Sequence, residues 1–171
     1  PCIVYWKGKT KPGTTCNKLA SNIDLFPTFA EVANAPLPAN KIDGVSILSL
    51  IKGKEGANPR ESFVYYYNKN DLEAVTDGMI KLVFPHKYVT YGAYEPGNDG
   101  QPGKLASLEL MKPELYDLRR DPGERYNVIG QYPEVVAMLM KIADNMRDEL
   151  GDDLTRKKGT ERRQPAYVNV K

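Results

Sequence analysis

The segment Pro133–Leu150 constrains this chain more than any other. Val135, Val136, Leu139, Ile142, Ala143, Met146 and Leu150 recur in it at helical spacing, so one face is apolar along its whole length. Pro133 suits a first helical turn and Gly151 a stop, which fixes both ends. Such a helix is stable only when its stripe is covered. Upstream, the pattern is that of strands. Ser62–Tyr67 is rich in β-forming residues, and "LEAVTDGMIKLVF" (72–84) reads as two strands joined by Asp77-Gly78, a dipeptide that a type I′ hairpin favours. Glu114–Leu118 alternates and reads as another strand, while Pro96, Gly97, Gly100, Pro102 and Gly103 make Glu95–Gly103 a surface loop. The expected class is α+β: a small antiparallel sheet with the C-terminal helix packed on one face.

The first fifty residues read differently. Cys2–Trp6, "CIVYW", is an apolar run without alternation, as in a buried strand. "KGKTKPGTT" follows as a loop that turns at Pro12-Gly13. Asp24 is placed to cap a helix running to Ala35, with Pro27 in its first turn and Leu25, Phe29, Val32 and Ala33 as the buried stripe. "NAPLPAN" ends that helix, Ser46 caps a short one over "ILSLIK", and Gly53 closes it. A buried-type strand directly after Pro1 marks the chain as a fragment, and these elements look like the end of something larger. The expected division is 1–52 as the last strand and helices of an α/β domain, 53–151 as an α+β subdomain, and 152–171 as an irregular tail. Apolar elements of 1–52 left without cover are expected to self-associate or to be disordered.

Composition narrows the function classes. A net charge of +2 is too small to imply a nucleic-acid partner. No apolar run approaches the roughly 20 residues needed to cross a bilayer, and no signal peptide is visible. Cys2 and Cys16 are too few for a disulfide framework, fit no metal spacing, and form either one bridge or two free thiols.

The charged stretch "ELYDLRRDPGERYNV" (114–128) invites a catalytic reading, since carboxylates and arginines crowd together. A catalytic carboxylate pair needs its two pKa values separated, however, and arginines beside every carboxylate favour plain ionisation. Asp121 suits the first position of a β-turn, Pro122 the second, and Gly123 the positive φ of a type II turn. The stretch is read as a solvated corner between strand and helix. Asp152-Asp153, the other acidic pair, lacks the further oxygen ligands that calcium requires.

The same stretch carries a family resemblance. "LYDLRRDPGERYNV" resembles the Leu-Tyr-Asp-Leu…Asp-Pro-x-Glu…Asn signature near the C-terminus of sulfatases. "YWKGKTKPGTT" resembles that family's Trp-Pro-Gly-Lys-x-x-Pro-Gly segment, and "SNIDLFPTFAEVANAPLP" its Asp-Leu-x-Pro-Thr helix. "KIDGVSILSLIKG" and "EAVTDGMIKLVF" resemble its Asp-Gly-x-Ser-Leu segment and its Ala-Val-Arg-x-Gly-x-x-Lys hairpin. The matches fall in family order over almost the whole chain. They are most similar to bacterial relatives of arylsulfatase A and N-acetylgalactosamine-6-sulfatase. Lys7 departs from the usual proline and Thr76 from the common arginine.

The resemblance implies an alkaline-phosphatase-like α/β domain before the α+β subdomain, in a parent enzyme that hydrolyses sulfate esters of sugars or glycosaminoglycans. It implies a formylglycine nucleophile and a calcium ion held by oxygen ligands. Neither is encoded here. Cys2 is followed by "IVYW" and Cys16 by "NKLA", so neither lies in the Cys/Ser-x-Pro-Ser-Arg motif. No catalytic or metal-binding residue is therefore assigned, and the fragment is expected to be inactive alone and to wall the substrate cleft. Its expected partners are the missing N-terminal catalytic domain and, in the parent, a sulfated carbohydrate, with no nucleic acid and no membrane. The resemblance points to a periplasmic, secreted or lysosomal setting.

His86, in "FPHKYVTY", is the one candidate substrate-binding residue. It is either a hydrogen-bonded loop histidine or a group facing the cleft, where it would touch a sugar sulfate. Tyr88, Tyr91 and Tyr94 add aromatic surface that suits either sugar stacking or packing. "RKKGTERR" (156–163) is either a solvated tail or a polyanion contact. Two alternatives stand beside the sulfatase: an autonomous carbohydrate- or protein-binding module, and a phosphate or phosphonate ester hydrolase of the same superfamily.

Overall fold

The apolar stripe of the C-terminal helix finds its cover on a sheet. In the computed structural model, which describes residues 2–91 and 97–162, α3 spans Pro133–Leu150 and lies across β2 (Asp71–Thr76) and β3 (Ile80–Val83). With β1 (Phe63–Tyr67) and β6 (Glu114–Asp117) these form a four-stranded sheet in the order β1-β2-β3-β6. Leu72, Val75, Leu82, Phe84 and Leu115 on the sheet meet Leu139 and Ala143 on the helix, and all are buried. The chain is a mixed helix and antiparallel-sheet fold, as the patterning requires.

Register places the two sheet faces. β2 and β3 run antiparallel with Val75 opposite Leu82 and Ala74 opposite Val83; β3 and β6 pair Leu82 with Leu115, Lys81 with Tyr116 and Val83 with Glu114. Because side chains alternate, the row Val75–Leu82–Leu115 faces α3 while Ala74–Val83–Glu114 and Lys81–Tyr116 face away. β4 (His86–Thr90) and β5 (Ala106–Leu110) form a separate antiparallel ribbon, with His86 opposite Leu110.

Two turns differ from expectation for the same reason: a side chain takes the backbone donors. Asp77 Oδ1 accepts from the amides of Met79 and Ile80, both at 2.8 Å. This moves the centre of the β2–β3 turn to Gly78-Met79, and only Gly78 has a positive φ (90°), so the type I′ form is not made. Thr76 closes this hairpin: its buried hydroxyl donates to Ile80 O (2.7 Å) and accepts from Gly78 N (2.9 Å). In the corner after β6, Asp121 Oδ2 accepts from Arg125 N (2.6 Å) and Tyr126 N (2.8 Å). The left-handed residue there is Glu124 (φ 53°), not Gly123, so no type II turn forms.

The chain divides into two compact units, Pro1–Phe63 and Val64–Lys171. The first contains α1 (Leu25–Val32), preceded by a turn of 3₁₀ helix, and α2 (Leu48–Ile51), whose first amide donates to Ser46 Oγ at 3.3 Å. α1 is shorter than expected, and Asp24 does not cap it through its carboxylate. That group reaches back to Ser21 N (2.8 Å) and across to Val45 N (2.9 Å) and Arg60. Gly44 permits the crossing, because a Cβ there would lie 2.1 Å from Ile23 O.

Two expectations for this unit are overturned. Cys2–Trp6 forms no strand, and Ile3 is 97 % exposed: a buried strand needs neighbours, and no described strand pairs with it. The stripe Leu25, Phe29 and Val32 is exposed rather than buried, since α1 packs through Pro27 and Thr28 instead. Thr28 Oγ1 donates to Asp24 O (2.6 Å) and accepts from Ile47 N (2.9 Å), which makes its polar side the anchored one.

The segment after α3 is more regular than a loose tail. β7 (Gly151–Asp152) and β8 (Lys157–Lys158) form a short hairpin, and no described helix is long and apolar enough to cross a membrane.

Candidate functional site

The sheet face turned away from α3 forms the floor of a cavity of about 530 Å³. Alternation within β1 supplies one wall: Val64 and Tyr66 pack against the core, so Tyr65 and Tyr67 point the other way and line the cavity. Lys81, Glu114 and Tyr116 come from β3 and β6 through the pairings given above. His86 and Tyr88, two apart in β4, supply the wall on the ribbon side.

His86 is held at both ring nitrogens. Nδ1 lies 2.7 Å from Phe84 O and Nε2 3.2 Å from Glu73 Oε2, and its ring tilts at 47° against Tyr88 with centroids 5.7 Å apart. The carbonyl is an acceptor, so Nδ1–H donates to it and Nε2 is left facing the Glu73 carboxyl. Burial pushes the Glu73 carboxyl above its ordinary value, against the opposing pull of His86.

The other charges are also paired. Lys81 Nζ lies 2.8 and 3.1 Å from the two oxygens of Glu124 and 5.0 Å from the centre of the Tyr65 ring. Glu124 adopts a left-handed conformation, which for a residue with a Cβ costs on the order of 1 kcal/mol. Its bond to Lys81 offsets that strain. The Tyr116 hydroxyl donates to Glu114 Oε2, and burial together with that bond raises its pKa.

These groups can hydrogen-bond and stack. They form neither an activated nucleophile nor a metal cage: among the described residues no three His, Cys, Asp or Glu converge to hold an ion. Cys2 and Cys16 are free and exposed. Asp152 is buried and occupied, accepting from Arg147 Nε (2.9 Å), Leu154 N (3.0 Å) and Leu72 N (3.3 Å).

Of the residues singled out in the sequence, His86 and Tyr88 reach the cavity. Tyr91 is exposed and does not line it, and Tyr94 and Arg163 lie outside the described residues. Sequence reasoning missed Tyr65, Glu73 and Lys81, and it set aside Glu114, Tyr116 and Glu124 as part of a solvated corner, whereas these three line the cavity. Alternation in "FVYYY" could have offered Tyr65, but cross-strand register and the return of Glu124 onto Lys81 have no local signal.

Comparison with known proteins agrees with the motif order. Residues 58–166 match the C-terminal region of aryl-sulfatase, and residues 1–91 match the C-terminal part of N-sulphoglucosamine sulphohydrolase. The chain is 37 % identical over 153 residues to arylsulfatase A from Homo sapiens, covering 83 % of this chain and 29 % of that protein. It is 31 % identical over 153 residues to an N-acetylgalactosamine-6-O-sulfatase from Bacteroides thetaiotaomicron, covering 86 % and 27 %. A solved Bacteroides thetaiotaomicron structure, described under the metabolism of multiple glycosaminoglycans, superposes with a TM-score of 0.60 at 30 % identity, over 83 % of this chain and 28 % of that one. A sulfatase from Pseudoalteromonas sp. shares the fold with a TM-score of 0.65 at 19 % identity, over 82 % and 28 %. The chain thus spans less than a third of the length of these relatives.

Proposed function

The chain belongs to the sulfatase family, as its C-terminal region, and from that premise we propose that the whole protein hydrolyses sulfate esters of sugars or glycosaminoglycans. The observation that carries this is the match of residues 58–166 to the C-terminal region of aryl-sulfatase, reinforced by relatives named for arylsulfatase and N-acetylgalactosamine-6-O-sulfatase activity.

The residues of this chain do not fit a formylglycine or a calcium ion. Its cysteines lie outside the required motif, and the most buried acidic side chains among the described residues, Asp24 and Asp152, are held by Arg60 and Arg147. Nucleophile and metal therefore belong to the part of the protein outside these residues. The region described here contributes a wall of the substrate cleft, with His86 as a binding group. The exposed apolar stripe of α1 is the surface by which the first unit packs on further parts of the protein; alone, it drives self-association.

Nitrophenyl sulfate with calcium tests the assignment. The whole protein releases nitrophenol and sulfate, and the 171-residue chain gives none above a buffer blank. Turnover by the short chain would mean that a nucleophile lies among these residues. A whole protein that cleaves nitrophenyl phosphate but not the sulfate would move it to the phosphoryl side of the superfamily.

A further inference from the structure

We propose that the cavity on the outer sheet face is a subsite for an uncharged sugar ring, the neighbour of the sulfated residue rather than the sulfated residue itself; this rests on the sulfatase reading. Its volume, about 530 Å³, lies within the roughly 300–1,000 Å³ typical of small-ligand sites. Its charge decides what enters. Three carboxylates, Glu73, Glu114 and Glu124, face two ammonium groups, Lys81 and Lys87, and the imidazole of His86.

The cations in the interior are already engaged. Lys81 is shared between both oxygens of Glu124 and the Tyr65 ring, and His86 bridges Phe84 O and Glu73. Lys87 is exposed. A sulfate placed in the interior would have to break one of these pairs, or lie near Glu114 with only the solvent-exposed Lys87 at the rim to balance it, where an ion pair contributes little. A ring bearing only hydroxyl groups meets neither obstacle. A carboxylate offers about four lone-pair positions, so Glu114 and Glu73 keep acceptors for sugar hydroxyls after their internal bonds are made. Tyr67 and Tyr88, which line the cavity and are 56 and 40 % exposed, offer aromatic surface for the apolar side of a pyranose.

The full chain is titrated with lactose as the neutral probe and lactose 6′-sulfate as the anionic one, and tyrosine ring signals are followed by NMR. Lactose moves the Tyr88 and Tyr116 signals, its affinity is unchanged from about 0.05 to 0.5 M salt, and the sulfated sugar binds no more tightly. Tyr88→Ala weakens lactose binding by about three- to ten-fold, as expected for loss of one aromatic contact. Glu114→Gln, which keeps the side-chain shape, also weakens it, and Tyr91→Ala leaves it unchanged. Absence of lactose-induced shifts, or about ten-fold tighter, salt-sensitive binding of the sulfated sugar, would overturn the proposal.

Aryl-sulfate turnover by the whole protein is measured in parallel and separates the two claims. Turnover without lactose binding removes the subsite and leaves the sulfatase assignment. Lactose binding without turnover removes the sulfatase assignment, and with it the placement beside a sulfated residue.

Discussion

Arg60 grips Asp24 across 36 positions of chain: Nε lies 2.9 Å from Oδ2, Nη2 bonds Oδ1, and Nη2 also reaches Asp43 O at 3.0 Å. Asp24 is fully buried, so the pair is a closed unit that joins the turn before α1 to the segment at Val45. Burial alone would raise the Asp24 carboxyl; Arg60 and the amides of Val45 and Ser21 together hold it below its ordinary value of 3.8. A carboxyl depressed on folding contributes stability that is present above the unfolded value and lost as pH falls through the folded one.

Removing the arginine leaves that carboxylate buried and unpaired. Arg60→Ala should destabilise the first unit by about 3–5 kcal/mol. The deficit should be largest at neutral pH and shrink as pH falls, because without Arg60 burial raises the Asp24 carboxyl and its protonation removes the stranded charge. Hydrogen exchange at the Val45 amide, which donates to Asp24 Oδ1, reads the loss directly. An unchanged exchange rate would mean that Asp24 finds another partner.

At the alkaline end the sensitive group is Tyr66. Its hydroxyl donates to Gly151 O (2.9 Å) and lies 3.3 Å from Met146 O, tying β1 to the end of α3. Burial, with Asp152 nearby, pushes its pKa from 10.0 up to about 12. The neutral form is thus favoured by folding, so its contribution is complete below pH 10 and is lost between 10 and about 12. Tyr66→Phe should cost about 1–3 kcal/mol at neutral pH by leaving a buried carbonyl without its donor. It should also flatten the decline in stability above pH 10, as seen by denaturation monitored at pH 9, 10 and 11.

The elements legible in the sequence are those whose signals are local. α3 spans Pro133–Leu150, the expected bounds, because a proline and a glycine set its ends and one stripe sets its orientation. The β2–β3 hairpin was readable from its alternation, but its turn type depended on where the Asp77 carboxylate went. The stripe of α1 is legible as apolar, but its exposure in this chain is not, since burial depends on what lies against a stripe and not on the stripe. At the cavity, His86 stood out as the single histidine. Glu73 and Lys81 did not, and Glu124 read as one charge of a solvated corner, because a charged residue in a strand or turn is identical in sequence whether it faces solvent or a partner 43 positions away.

Arg147 gives a test in the second unit. Its guanidinium lies over the Phe84 ring at 4.5 Å, with Nε 2.9 Å from Asp152 Oδ2 and Nη1 2.9 Å from Asp144 Oδ1. Arg147→Met keeps the packing on Phe84 but strands the buried Asp152 carboxylate, and should cost about 3–5 kcal/mol. Adding Asp152→Asn removes the stranded charge and keeps an acceptor for the Leu72 and Leu154 amides. The double variant should therefore be more stable than Arg147→Met alone, measured by urea denaturation. Equal stabilities would show that the arginine acts through Phe84 and not through Asp152.

His86 carries the prediction that bears on function. It lines the cavity with only 11 % of its side chain exposed, and its Nε2 lies 3.2 Å from Glu73 Oε2. A group so held does not reach a sulfur centre but orders the wall that a sugar meets. Losing one hydrogen bond of this kind costs about 0.5–1.5 kcal/mol if neutral and up to about 3 kcal/mol if charged. In the whole enzyme, His86→Ala should lower kcat/KM on a sulfated oligosaccharide by roughly three- to a hundred-fold. A small aryl sulfate, which does not extend to the cavity, should be cleaved at nearly the original rate. Circular dichroism of the variant must match the parent, and Glu73→Gln, which retains an acceptor for Nε2–H, should fall between the two. Equal losses on both substrates would place His86 among the groups acting on the sulfate ester, and no loss on either would leave it as a structural tie between β2 and β4.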